Sequence, residues 1–492
     1  MRTQEPGFLG IDIGTSGVKA IMLGADGAAL DEATAAYPLH TPRPGWTEQD
    51  PRDWWQAVAR VTGELLQRCG QPAAVGLTGQ MHGAVFLDRA DEILRPALLW
   101  NDQRTAAQAA AIEDRVGAQR LRAITGNPAL TGFQAPKILW LREHEPEYWK
   151  RLTRVLLPKD FIRLRLTGEV ATDVSDAAGT LLLDLAARDW SPELLEALEI
   201  SRDWLPTVCE GPQVTGRISA AGAAATGLRE GLPVVAGGGD NAAAAIANGA
   251  LDEGQGVVSV GTSGVVFAPT ARSVVDPSGA LHAFCHAAPG AYHLMGVMLS
   301  AGGSLQWAAS VIGGGDYDAL MREAAAVPAG AEGVMFLPYL AGERTPHMDP
   351  EARGAWCGLG LSHGRGHLVR AVLEGVAYGL RDALDRVEQL GIRPVTLRLV
   401  GGGLRNPLWR GIVVASLGRS CAYAGEGGGP AAGAAILAAA GSDAFASLEE
   451  AVAAMVPAQA EPLEPDPELA AVYAGQRRRF EALYPALHPR PD

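Results

Sequence analysis

Short apolar runs punctuated by glycine-rich turns recur along the whole chain. Phe8, Leu9 and Ile11 lead into Gly14, Thr15, Ser16 and Gly17, and Val18, Ala20, Ile21, Met22 and Leu23 lead out, which predicts two strands joined by a tight bend. The same succession returns at 257–267, where Gly261, Thr262, Ser263 and Gly264 separate two apolar strands. Two copies, one near the start of each half, predict two similar domains, 1–248 and 249–492, each offering a hairpin to a cleft between them. Asp50 before Pro51, with Trp54, Trp55, Val58, Val61 and Leu65 behind, predicts a capped amphipathic helix. Strands at 75–78 and 98–99 empty into polar residues, Gln80, Met81 and His82 in one case and Trp100, Asn101 and Asp102 in the other. Strand, glycine turn and the start of a helix follow again at 232–242 and from 397 on, with a core helix at 369–390 and a last helix at 469–484. The turn-rich stretch 125–180 predicts an insertion over the cleft mouth. The alternation as a whole is that of an α/β protein.

The chemistry at these turns is that of anion binding. Glycines at 14 and 17 are expected at positive φ, which brings backbone N–H groups toward a ligand, and the hydroxyls of Thr15 and Ser16 add donors. Gly-Thr-Ser-Gly is also ordinary turn chemistry, and the repetition is what sets it apart. Asp12 beside the bend would repel a phosphate unless a cation such as Mg²⁺ lay between them, whereas Ser259 takes its place in the second copy. His82, between two glycines, reads either as a structural histidine or as a sugar contact. Asn101 and Asp102 read as hydroxyl ligands, as caps of the alanine-rich helix that follows, or as both. Asp240 falls where a helix N-cap is expected, behind three glycines that clear space for a substrate, and is the candidate general base. His282 and His286 mimic a metal-ligand spacing without a second pair, which favours a structural role. The polar loop around 342–347 is placed near the hinge. Gly401, Gly402 and Asn406 suit a flat base and its ribose, and Gly427 to Gly429 suit the other wall of that pocket.

Composition narrows the alternatives. A net charge of -14 argues against nucleic-acid binding, and no apolar stretch reaches the roughly 18 residues of a membrane helix. The 5 scattered cysteines read as reduced thiols, so a cytoplasmic protein is expected. None of the lysines follows a glycine, which excludes a Walker A loop, and glycines at 10, 14 and 17 fail the dinucleotide pattern.

Two Gly-Thr-Ser-Gly hairpins, Gly-Gly-Gly-Asp-Asn at 237–241 and Val-Gly-Gly-Gly with Asn406 resemble the FGGY carbohydrate kinases of the actin-like ATPase, ribonuclease H-like fold, with its active site between two domains. Gln80-Met81-His82-Gly83, Trp100-Asn101-Asp102, Leu157-Pro158-Lys159-Asp160, Ser175-Asp176-Ala177-Ala178-Gly179-Thr180 and Gly342-Glu343-Arg344-Thr345-Pro346-His347 resemble the branch that phosphorylates D-xylulose. The resemblance implies transfer of the γ-phosphoryl of MgATP to the 5-hydroxyl of D-xylulose in the breakdown of D-xylose, by a homodimer. It makes Met81, His82, Asn241, Trp100 and Asp102 sugar contacts and Asp240 the proton acceptor, with Asp12 ordering Mg²⁺. Thr15, Ser16, Gly261, Thr262 and Ser263 would hold phosphates, and Gly401, Gly402 and Asn406 would line the adenosine site. Glycerol kinases carry Arg-Glu where Met81 and His82 stand here, which argues against glycerol. The rivals are a family member acting on ribulose or a polyol, and a non-catalytic sugar sensor. The chain departs from its lookalikes at Thr131, where proline is usual, and in the glycine-rich run from Gly425 to Gly429.

Overall fold

The structure, a computed structural model, describes residues 7–312, 316–425, 427–457 and 461–488. Strands β1 (Phe8–Ile13) and β2 (Gly17–Leu23) close on each other at the pair Ile13 and Val18, and β3 (Ala29–Ala36) continues antiparallel beyond β2. Helix α1 (Pro51–Cys69) starts at Asp50, whose carboxylate accepts the Arg52 N–H, a cap worth about 1 kcal/mol. Trp54, Val58, Val61 and Leu65 recur at helical spacing and are fully buried, each contributing about 2 kcal/mol of burial. That helix lets β4 (Ala74–Gly79) return parallel to β1, as a parallel pair requires. Helices α2 (Gln134–His144), α3 (Pro158–Thr167) and α4 (Val174–Ala178) follow, then β5 (Val214–Arg217), β6 (Pro233–Val235) and β7 (Gly238–Gly239). The sheet runs β5-β6-β4-β1-β2-β3, with β7 also on β4, and leads into helix α5 (Asp240–Ala247).

The second half repeats this plan. β8 (Gln255–Val260) and β9 (Gly264–Thr270) form its hairpin, with β10 (His282–Cys285) and β11 (Tyr292–Met298) antiparallel beyond it. Helices α6 (Gly302–Ile312), α7 (Tyr317–Ala325) and the long core helix α8 (Arg365–Gln389) precede β12 (Thr396–Val400), parallel to β8. Helix α9 (Pro407–Leu417), β13 (Cys421–Tyr423) and helix α10 (Pro430–Ala440) follow, and the sheet order is β10-β11-β9-β8-β12-β13. In both halves the central hairpin pairs antiparallel on one side and parallel on the other, and in the first half the edge strand β5 turns back antiparallel to β6. The expected last helix is two, α11 (Pro467–Glu481) and α12 (Leu483–Leu487). No helix among the described residues is long and apolar enough to cross a membrane.

Packing crosses the expected boundary at 248 in two places. Ala268, Leu281, Phe284 and Leu294 share a core with Phe86, Ile138 and Leu182 of the first half. Helix α10 lies on the first sheet so closely that a Cβ on Gly10 would stand 1.8 Å from the Ala431 carbonyl oxygen, and one on Gly76 1.9 Å from that of Ala434. The stretch 125–180 is likewise not an insertion over the cleft. Helices α3 and α4 are almost entirely buried, and Lys159 of α3 is ion-paired inside with Asp160 and with Asp173, the residue that caps α4.

Candidate active site

Asp12 is the one half-open residue of β1, one place before its end. Its Oδ1 is buried without a hydrogen-bond partner. Burial first, then the neighbouring Asp240 carboxylate, push its pKa up to about 7, with Lys19 opposing. Two neighbouring carboxylates and an orphaned oxygen suit a divalent cation. Among the described residues no group of three or more His, Cys, Asp or Glu side chains is arranged around a metal. Phosphate oxygens and water would complete the shell, as Mg²⁺ prefers.

The bend after Asp12 is braced by side chains of its own half. The Thr15 hydroxyl donates to Gln80 Oε1 at 3.3 Å and accepts from Trp100 Nε1 at 2.9 Å, while its carbonyl accepts from Gln49 Nε2 at 2.7 Å. Ser16 is exposed and has no such partner among the described residues. Gly14 and Gly17 are not at positive φ, contrary to expectation; a Cβ on Gly17 would stand 2.6 Å from the Ala35 carbonyl oxygen, so what it permits is the close approach of β3. Trp100 is thus tied to the hairpin through its indole N–H. Asp102 does not reach the cleft: it is fully buried, with its oxygens accepting from the Arg104 guanidinium and from the Thr47 N–H at 2.7 Å. Nor does it cap the next helix, whose N-cap is Thr105.

His82 holds a left-handed backbone at φ 67, a conformation that costs a non-glycine residue about 1 kcal/mol or more and persists only where its surroundings enforce it. Here Lys137 Nζ donates to the His82 and Phe133 carbonyls at 3.0 Å each, and to that of Gly132. The ring stands edge-on to Phe133 at 4.9 Å, and its Nδ1 lies 2.6 Å from the Gly179 carbonyl oxygen. A carbonyl only accepts, so Nδ1 carries the hydrogen and Nε2 is left as an acceptor. Burial pushes the imidazole pKa down to about 3, opposed by the Gly179 bond, so the ring stays neutral. A neutral Nε2 acceptor fits a sugar hydroxyl. Met81 links this loop to the turn before Asp240, since a Cβ on Gly239 would stand 3.0 Å from its Cγ and Sδ.

Asp240 opens helix α5 as its first residue, with Gly239 as the N-cap, so it is not the cap that its position suggested. Its Oδ1 accepts the Asn241 backbone N–H at 2.7 Å and the Asn241 side-chain amide at 2.9 Å. Burial pushes its pKa up to about 6, with both Asn241 bonds opposing. The glycines ahead of it make room mainly for protein. A Cβ on Gly237, at φ 80, would stand 1.8 Å from the Leu77 carbonyl oxygen.

The second hairpin opens outward. Gly261, Thr262 and Ser263 are exposed, and the amides of Gly302 and Gly303 at the start of α6 bond the carbonyls of Gly261 and Thr262 at 2.7 and 3.0 Å. Beside it lies a cavity of about 700 Å³ lined by Gly261, Thr262, Gln306, Tyr317, Gly402 and Asn406. Gly401, at φ 107, shapes the turn against Val260, while a Cβ on Gly402 would meet nothing within 4 Å. Asn406 caps α9 by accepting the Leu408 N–H at 2.9 Å, which leaves its Nδ2 available to the cavity it lines. Gly428 and Gly429 do not line this cavity. They border a separate slot of about 190 Å³ with Asn241 and Ser259, and Glu426 within the glycine-rich run lies outside the described residues.

Comparison with known proteins identifies the assembly. The models for the N-terminal and C-terminal domains of the FGGY family of carbohydrate kinases match residues 8–247 and 256–442. The chain belongs to the FGGY family. It is 46% identical to the xylulose kinase of Escherichia coli K12, with 98% of this chain and 99% of that one aligned. Among solved structures, a xyloylose kinase from Brucella ovis superposes with TM-score 0.92 at 40% identity, over 98% of this chain and 99% of that one. A xylulose kinase from Rhodospirillum rubrum does so with TM-score 0.91 at 33% identity, with the same coverage. The actin-like two-domain α/β fold expected of an FGGY kinase is thus the fold observed.

Within this FGGY site, Gln306, Tyr317, Asp318, Met321 and Trp409 were not expected from sequence, because they read as ordinary helix positions. The loop at 343–345 lies close to His82 and His282. Glu343 accepts the Leu299 N–H at 3.0 Å and Thr345 donates to the Ala280 carbonyl at 2.7 Å, two residues from His282. The Arg344 charge pushes the pKa of both His82 and His282 down, after burial. His282 and His286 bond Asn127 Oδ1 at 2.8 Å and the Ala250 carbonyl at 2.9 Å, as structural histidines do.

Proposed function

We propose that this FGGY kinase transfers the γ-phosphoryl group of MgATP to the 5-hydroxyl of D-xylulose. The observation that carries the reading is that Met81 and a neutral His82 neighbour each other across Gly179, that Met81 packs on Gly239 just before Asp240, and that Asp240 acts electrostatically on Asp12, in a chain similar to xylulose kinases. The nucleotide would lie with its adenosine in the 700 Å³ cavity against Gly401, Gly402 and Asn406, and its phosphates toward Gly261, Thr262 and Ser263. Ser16, and Thr15 once released from Trp100, would face the transferred group from the other side. Asp12 would hold Mg²⁺, which neutralises phosphate charge when bound.

Phosphoryl transfer asks a protein for alignment and charge neutralisation. His82 Nε2, Met81 and Asn241 would orient the sugar so that O5 points at the γ-phosphorus. The O5–phosphorus bond forms as the bond to the β,γ-bridging oxygen breaks, and Asp240 takes the O5 proton. A pKa of about 6 leaves Asp240 ionised at neutral pH, and the proton leaves late along a loose transition state. The first half, 1–248, would thus carry sugar and base, and the second half, 249–492, the nucleotide. A homodimer in the cytoplasm is the expected setting.

The test is ADP release from MgATP with D-xylulose, D-ribulose, L-ribulose, glycerol or no sugar. Strong stimulation by D-xylulose alone supports the reading. Preference for a ribulose moves the substrate within the family, and ATP binding without stimulation by any sugar favours a sensor.

A further inference from the structure

Behind the base lies a lattice of charges that the reaction scheme does not use. Lys159 Nζ stands 2.7 Å from Asp160, 2.9 Å from Asp173 and 3.4 Å from Asp176, and Arg163 Nε stands 3.7 Å from Asp160. All five side chains are fully buried. Arg163 donates to the Val235 carbonyl at 2.8 Å and to that of Ala236 at 2.5 Å, which fastens the strand entering the Gly237–Gly239 turn. The Gly239 N–H, leaving that turn, donates to Ser175 Oγ at 3.0 Å. Ser175 Oγ in turn donates to Asp173 Oδ2, which also accepts the Ser175 N–H at 2.7 Å. The turn is three glycines with no side chains of their own, and the Gly239 amide, at a helix N-cap, has no acceptor within the helix.

We propose that Ser175 is a positioning residue for Asp240: its hydroxyl pins the amide one residue before the base to the buried Lys159–Asp173 lattice and so fixes where the carboxylate points. This inference rests on the reading of Asp240 as the proton acceptor. Ser175 touches neither sugar nor nucleotide in that reading, so its loss acts on the chemical step. A charged lattice suits this task because displacing any member strands a buried charge, which makes the platform stiff.

The experiment is steady-state kinetics of the full chain with MgATP and D-xylulose for Ser175→Ala, Ser175→Thr, Ser175→Cys and Asp240→Asn. Ser175→Ala is expected to lower kcat about 10- to 100-fold while KM for ATP and for D-xylulose stays within about threefold. Ser175→Thr, which keeps the hydroxyl, is expected within about fivefold of the parent kcat, and Ser175→Cys, a weaker acceptor, between the two. A merely structural role would lower activity in step with melting temperature and give Ser175→Thr no advantage, and that result overturns the inference. So does an unchanged kcat in Ser175→Ala, or in Ser175→Cys should the alanine variant not fold, while Asp240→Asn is inactive. Retained turnover in Asp240→Asn would instead overturn the base on which the inference rests.

Discussion

The two hairpins are the same element put to different uses. Asp12 and Ser259 occupy equivalent places, each half-open and one residue before the end of a central strand that pairs antiparallel on one side and parallel on the other. The first hairpin spends the polar groups of Gly14 and Thr15 internally, on Gln80, Trp100, Gln49 and Tyr37, leaves Ser16 exposed, and carries a carboxylate at Asp12. The second is braced from behind by the opening amides of α6, which leave Thr262 and Ser263 facing outward beside the positive end of a helix. Duplication of a fold thus supplies two scaffolds, and in the proposed reading the Asp12 carboxylate suits the first to a metal, while Ser259 in its place leaves the second to the anion.

The largest break in that division comes from the acidic side. Asp240→Asn is expected to lower kcat by about 10³-fold, with KM for D-xylulose within about tenfold, since general-base loss acts on the chemical step. Burial penalises the ionised form of Asp240, so its folded pKa lies above the unfolded value and its ionisation costs stability as pH rises through about 6. The asparagine variant is therefore expected to melt no lower than the parent at pH 8. The same value gives the parent an acidic limb of kcat near pH 6, and higher Mg²⁺ moves that limb down, because a cation favours the carboxylate. His82, already neutral, contributes no limb above pH 4. Next in size, Asp12→Asn is expected to cost about 10²-fold in kcat and to raise the Mg²⁺ concentration for half-maximal rate. Both are read by coupled ADP assay.

What was legible in the sequence follows the range of the forces involved. The hairpins, α1 and its Asp50 cap, and the core helix α8 came from local period and capping, which need no partner. The 125–180 stretch was misread because its Asp, Lys and Arg residues look solvated singly, and only the fold shows Lys159 between three carboxylates. Asp102 failed likewise, although Arg104 two residues on was a visible partner. Glycine was read for positive φ at 14 and 17 and for substrate space at 237, but what it supplies is a tertiary fact: Gly237 combines positive φ with the close approach of Leu77, Gly17 permits only a close approach, and Gly14 is not at positive φ. The cavity proposed for the nucleotide was half legible. Gly402 and Asn406 sit in a turn with a composition signal, while Gln306, Tyr317 and Trp409 lie at helix positions that carry none.

A smaller change erases the difference between the hairpins from the other side. Ser259→Asp puts a carboxylate where the second hairpin lacks one, and is expected to raise KM for ATP about tenfold with KM for D-xylulose within twofold, by like-charge repulsion of the phosphates. An unchanged KM for ATP would mean that the second hairpin does not face the phosphates. The smallest effect sharpens the comparison instead. Trp100→Phe removes the indole N–H from Thr15 Oγ1 while keeping an aromatic ring at the cleft mouth. If the Thr15 hydroxyl turns to phosphate during the reaction, that bond must first be broken, so its loss frees the donor at little cost. The variant is then expected to keep KM for D-xylulose and to change kcat by no more than about threefold, on the scale of one neutral hydrogen bond. A tenfold rise in KM for D-xylulose would instead make the indole N–H a sugar ligand, and the first hairpin's bracing would rest on Gln80, Gln49 and Tyr37.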